Sequence, residues 1–100
     1  MSAVYDYTAK LCSALKTKYN NAGYSCISHD FIIEEGRKYY KIIGVGEHQR
    51  SVHAFVDKKN GDLYKAASWA APAKGVRYNL MNDLDNVLAK CDWAGSYLYR

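Results

Sequence analysis

The sequence predicts an α+β domain: an N-terminal helix, an antiparallel sheet of about four strands and a C-terminal helix. Three observations predict it. Apolar residues recur every three to four positions near each end of the chain but not between. The middle is rich in Tyr, Ile and Val, the residues that fit a pleated, half-buried surface. Asn60-Gly61, between two such runs, is the strongest short-range hairpin signal. Helices segregated to the ends of a run of strands belong to α+β rather than parallel α/β architecture.

In the first element Tyr7, Leu11, Leu15 and Tyr19 make one apolar stripe, giving a helix over residues ~4–20. Asn20-Asn21-Ala22-Gly23 ends it, since Asn and Gly accept the left-handed cap conformation. Tyr24 to Glu34 reads as the first strand, and Glu34-Glu35-Gly36-Arg37 as a turn with Gly36 at positive φ. Lys38 to Val45 is the second strand and Ser51 to Asp57 the third. In the third, Val52, Ala54 and Val56 share one face while His53 and Phe55 share the other. Lys58-Lys59-Asn60-Gly61 turns the chain into a fourth strand, Asp62 to Ala66. Pro72 and Gly75 break residues 67–79 into an irregular loop. Leu80, Leu84, Val87, Leu88 and Cys91 restore helical spacing over residues ~80–91, with Asn79 or Asn82 as the N-cap. The end, Tyr97-Leu98-Tyr99-Arg100, adds a short strand or lies over the core.

The whole chain, residues 1–100, forms a single domain. Its 49% apolar and 24% charged residues are ordinary for a globular domain and wrong for a disordered one. No apolar run is long enough to span a bilayer, so no membrane partner is expected. Met1-Ser2-Ala3-Val4-Tyr5-Asp6 lacks a basic patch followed by an apolar stretch, so no export signal is read and a cytoplasmic location is expected. Cys12, Cys26 and Cys91 are then reduced thiols. Cys26-x-x-His29 has the spacing of half a zinc site, but the second close pair is missing. Gly44-Val45-Gly46 lacks the third glycine and following helix of a dinucleotide site. No cofactor, no metal and no catalytic activity are expected.

The charge is uneven. Residues 36–78 carry nine basic and three acidic side chains, while both flanking segments are slightly acidic and the whole chain is +4. Such asymmetry points to an anionic partner. Arg50, Lys58, Lys59, Lys74 and Arg77 fall in loops or turns, where side chains reach outward, and are the candidate phosphate ligands. Tyr39, Tyr40 and Trp69 are candidate stacking platforms, with Tyr78 beside Trp69 in an aromatic patch. Cations interleaved with aromatics on a sheet hold single strands by stacking bases while the cations track phosphates. A solvated outer sheet face has the same composition, and exposed lysines also protect strand edges. Trp69 has two readings: folded over the sheet edge as core, which is favoured, or exposed as an interaction anchor.

The core segment Arg50-Ser-Val-His-Ala-Phe-Val-Asp-Lys-Lys-Asn-Gly-Asp-Leu-Tyr-Lys-Ala-Ala-Ser-Trp69, with Pro72-Ala-Lys-Gly-Val-Arg77 after it, resembles a family of small uncharacterised bacteriophage proteins. The resemblance implies an accessory phage protein in the host cytosol. It brings no activity, cofactor or site residue. The expected partner is nucleic acid or a nucleoprotein. The alternative is a host protein, an enzyme or antiviral defence complex, inhibited stoichiometrically. Self-association into a homo-oligomer is compatible with either.

Overall fold

The computed structural model describes residues 3–21, 30–46, 50–91 and 96–98, and the side chain of Ser96 lies outside what it describes. Its order is α1 (Ala3–Asn21), β1 (Asp30–Glu35), β2 (Tyr39–Val45), β3 (Arg50–Asp57), β4 (Asp62–Lys65), β5 (Tyr78–Asn79), α2 (Leu80–Lys90) and a 3-10 turn (Ser96–Leu98). The strands form one antiparallel meander in sequence order, β1-β2-β3-β4-β5. The α+β architecture and both helices are as the sequence predicts, with five strands in place of four. The extra strand is the two-residue β5, whose Tyr78 pairs with Leu63 and Asn79 with Asp62. The Tyr24–His29 part of the first expected strand lies outside the described residues.

Helix α1 forms because Val4, Thr8, Leu11, Cys12, Leu15 and Tyr19 repeat at helical spacing and are buried together. Leu11 and Leu15 are fully inaccessible, each contributing about 1.5–3 kcal/mol of transfer free energy. They pack on Phe31, Tyr40, Ile42, Ala54, Val56 and Leu63 of the sheet, and Val87 of α2 completes the layer. Helix α2 is capped by Asn79, whose side-chain oxygen accepts from the Asn82 amide at 2.9 Å. Its C-terminus is closed by the other helix: Lys18 Nζ donates to Ala89 O at 3.1 Å and Cys91 O at 2.6 Å. A cation thus meets the negative end of the helix dipole and ties the two helices together.

Three local features depart from the expectations. Gly36 does not adopt a positive φ; among the described residues only Gly61 and Gly75 do, at 82° and 94°. The β3–β4 hairpin is not a two-residue Asn-Gly turn. Its loop spans Lys58–Gly61, closed by Gly61 N–H on Asp57 O at 2.9 Å, with Gly61 alone left-handed. Asn60 instead accepts the Asp62 amide on its side chain and the Asn79 side chain on its carbonyl, tying the hairpin to β5. The third departure is a bulge. Ile42 faces Ala54 but Ile43 faces Val52, so His53 is the extra residue.

The bulge re-aims His53. Strict alternation places it with Phe55 on the outer face; instead its ring meets core Phe31 edge-on at 5.5 Å, and Nε2 lies 2.8 Å from Tyr97 Oη. Tyr97 and Leu98 are buried over the core, held by Tyr78 Oη donating to Tyr97 O and by Arg77 Nε donating to Leu98 O at 2.7 Å. Tyr97 and Leu98 therefore take the second of the two expected forms, a cover over the core rather than a strand, while Tyr99 and Arg100 lie outside the described residues.

Three predictions follow from this packing. Gly61→Ala lowers stability in urea denaturation by about 1–2 kcal/mol, the cost of a left-handed alanine. A Cβ there also meets Met81 Cγ at 2.7 Å, but Met81→Ala in the same chain leaves most of the loss, because φ is unchanged. Lys18→Met costs about 1–2 kcal/mol through two uncapped carbonyls. The Cys12 thiol, buried against the sheet and then opposed by Asp30, is pushed up to about 12. Its contribution to stability is complete below the ordinary value of 9.0 and is lost as pH rises from there towards 12. At pH 8 iodoacetamide leaves Cys12 unlabelled in the folded protein and labels it in urea; labelling of the folded protein would contradict the burial.

Candidate nucleic-acid interface

The helices cover one face of the sheet, and alternation assigns the rest of each strand to the other. Ile32 and Glu34 of β1, Tyr39, Lys41 and Ile43 of β2, Phe55 of β3 and Tyr64 of β4 point outward. Their rings form a continuous strip. Tyr39 meets Phe55 and Tyr64 edge-on, with centroids 5.8 and 5.9 Å apart. The Tyr64 hydroxyl is held above its ordinary range by burial first, then by the carboxylates of Asp62 and Asp57 and by Tyr39, against the lowering effect of Lys38.

The long β4–β5 connection folds as an arm that carries Trp69 onto this face. Ala66 bridges Pro72, Ala73 N–H donates to Lys65 O, and Ala67 and Ser68 both donate to Ala71 O, so Trp69 sits at the tip of a small closed loop. Trp69 is 47% exposed. The favoured reading, burial as core, does not hold: the loop has only small residues around the indole and leaves it exposed. Lys41 Nζ lies 4.7 Å from its ring centroid and Arg50 Cζ lies 6.0 Å away. Both are cation–π distances.

Lys41 is the centre of the cluster. Its side chain is only 14% exposed, sits 5.8 Å from the Phe55 centroid as well, and pairs with Glu34 Oε1 at 3.6 Å. That ion pair exceeds hydrogen-bond range, and among the described residues its ammonium donates no hydrogen bond. Glu34, Arg37, Lys38, Tyr39, Lys41 and Phe55, with Ala70 of the arm, line a groove of about 200 Å³ beside the indole. Lys41, Arg37 and Lys38 are not among the site residues expected from the sequence. The available signal was a lysine in the middle of the apolar strand Tyr-Tyr-Lys-Ile-Ile, where a charge needs a reason.

The other expected site residues divide. Arg50 belongs to the cluster, and Tyr39 is half-buried within it. Lys59 and Lys74 are exposed at the β3–β4 turn and in the arm, and neither side chain makes an ion pair or ring contact among the described residues. Lys58 is drawn inward: Nζ donates to Glu35 Oε2 at 2.6 Å and Gly36 O at 3.0 Å, and lies 5.4 Å from the Tyr40 ring. Arg77 is spent on the carbonyls of Leu98, Lys74 and Gly75. Tyr40 and Tyr78 are not stacking platforms. Both are buried on the helix face, Tyr40 edge-on to Tyr5, because even-numbered positions of β2 and the Leu63 pairing of β5 point them into the core.

Chemically the outer face can hold an anion and stack a planar group. His53 lies on the helix side of the sheet, the face opposite Lys41 and Glu34. Among the described residues no three His, Cys, Asp or Glu side chains come together in a way that fits a metal ion; Cys26 and His29 lie outside them. No described helix is long and apolar enough to cross a membrane.

No curated protein and no solved structure matches the chain. One family does, over residues 1–100, and its description is a family of unknown function. The chain belongs to that family, DUF7717.

Proposed function

We propose that the outer face of the sheet binds a single-stranded nucleic acid, free or within a nucleoprotein, and that the protein acts as a non-enzymatic binding module. The observation that carries this reading is Trp69, half exposed on the face the helices leave open and flanked by Lys41 and Arg50. An indole with a free surface stacks any base, and adjacent cations meet the phosphates on either side of it. Duplex is the poorer fit, because paired bases present no free faces to an indole on a flat sheet.

The test is a titration of labelled single strand and duplex of mixed sequence, from low to physiological salt, on protein carrying Trp93→Phe so that Trp69 alone fluoresces. Single strand quenches Trp69, binds more tightly than duplex, and weakens by about 0.7 log units per phosphate contact for each decade of salt. Trp69→Ala costs about tenfold or more in affinity, in line with about 1–3 kcal/mol per stacked base. Joint replacement of Lys58 and Lys59 by Ala flattens the salt slope by about one contact, since Lys58 is already engaged by Glu35. No binding at low salt by folded protein overturns the proposal and directs the search to an acidic groove on a host protein.

A further inference from the structure

A carboxylate stands in the middle of the cationic groove, and the nucleic-acid reading by itself does not explain it. Glu34 is 52% exposed in its side chain, and its one described partner is Lys41 at 3.6 Å. A groove built only for phosphates has no use for it. Next to Glu34 a phosphate pays a repulsive penalty, whereas an N–H donor is welcomed. The cations sort accordingly. Arg37 and Lys38 are exposed in its lining, while Lys41 is recessed beside Glu34, between the Phe55 and Trp69 rings. The groove therefore offers exposed positive charge from Arg37 and Lys38 and, beside it, an acceptor–donor pair of exposed Glu34 and recessed Lys41, with Tyr39 and Phe55 in its lining.

Resting on the nucleic-acid reading, we infer that Glu34 and Lys41 read the Watson–Crick edge of an unpaired guanine. The edge of guanine carries two adjacent donors, N1–H and the N2 amine, followed by the O6 acceptor. A carboxylate accepts both donors side by side, the bidentate arrangement that makes such pairs strong. The Lys41 ammonium, which donates no hydrogen bond among the described residues, then donates to O6. Adenine, cytosine and thymine or uracil each present a single donor next to an acceptor, so each leaves one Glu34 oxygen facing a lone pair or nothing. The groove volume of about 200 Å³ has room for one base, and Tyr39 and Phe55 line it. Single-strand recognition commonly combines such edge contacts with stacking on a neighbouring aromatic, here Trp69.

The experiment uses the full chain and four strands of about twelve thymidines, a length within the usual site size. Each strand has one central position occupied by guanosine, adenosine, cytidine or thymidine, and a fifth carries inosine, which lacks the N2 amine. The guanosine strand binds at least about fivefold more tightly than the others, and inosine loses most of that gain. Glu34→Gln abolishes the preference, so that the variant binds the guanosine and thymidine strands alike. A urea curve confirms that this exposed substitution leaves the fold intact. Equal binding of all five strands overturns the inference and leaves general single-strand binding standing, whereas no binding of any strand overturns the reading beneath it. Tighter binding of every strand by Glu34→Gln with the guanosine preference retained also overturns the inference, because Glu34 is then only an internal competitor for Lys41.

Discussion

Two helices cover one face of a five-stranded antiparallel sheet, and the other face must meet water with whatever the strand alternation assigns to it. That constraint shapes the rest of the molecule. The helix side is filled by Leu11, Leu15, Ile42, Val56, Leu63 and Val87, all inaccessible. The open side is finished by the chain itself, through a strip of rings and an arm that lays Trp69 beside Lys41 and Arg50. Phe55 is nearly inaccessible on this open side, because Tyr39, Tyr64 and the Lys41 stem pack around it. A lysine stem that covers an aromatic and keeps its ammonium near water is a low-cost way to close an exposed sheet face.

The edge strand is held by the same economy. Three ion pairs occur among the described residues, and each ends on a β1 carboxylate: Lys16 on Asp30, Lys41 on Glu34 and Lys58 on Glu35. They reach it from α1, β2 and the β3–β4 turn. Individually such exposed pairs contribute about 0–1 kcal/mol. Their arrangement matters more than their sum. Acidic β1 draws in cations that are otherwise free, so a basic stretch of sequence does not become an equally basic surface. Lys58 shows the consequence, since the hairpin turn that exposes it also delivers it to Glu35.

The layer plan was legible in the sequence because it rests on periodicity, which burial enforces over many residues at once. The helix stripe at Leu11 and Leu15, the Asn79 cap and the β3–β4 hairpin all have that support. What was not legible depends on single residues whose partners are distant in sequence. The His53 bulge is one added residue, invisible to a period-two pattern, and it moves a side chain from one face to the other. β5 is two residues defined by their pairing with Leu63 and Asp62, too short for any period. Tyr40 and Tyr78 share the composition of a stacking platform, but tyrosine serves core and surface alike, and only register decides. Gly61 was found for its turn, yet the turn closes over four residues because Asn60 spends its groups on Asp62 and Asn79 rather than on a left-handed backbone.

The candidate site shows the same division in sharper form. Loops were the natural place to seek outward-reaching cations, and Arg50 was found that way. Lys41 was missed because mid-strand lysines ordinarily lie flat on a solvated face. Its role depends on three neighbours brought from residues 34, 55 and 69, a conjunction that no local window contains. Once they are assembled, the charge on Lys41 has a cost that each neighbour offsets in part: two ring faces and one carboxylate just beyond hydrogen-bond reach. An ammonium so placed is attracted from several sides and saturated from none. It is therefore ready to bond an incoming acceptor without first breaking a strong internal contact. Arg77 is the contrast, a cation whose donors are already committed to backbone carbonyls. Between two residues of the same charge in the same basic segment, hydrogen-bond occupancy rather than charge separates a cation open to an incoming acceptor from one already committed.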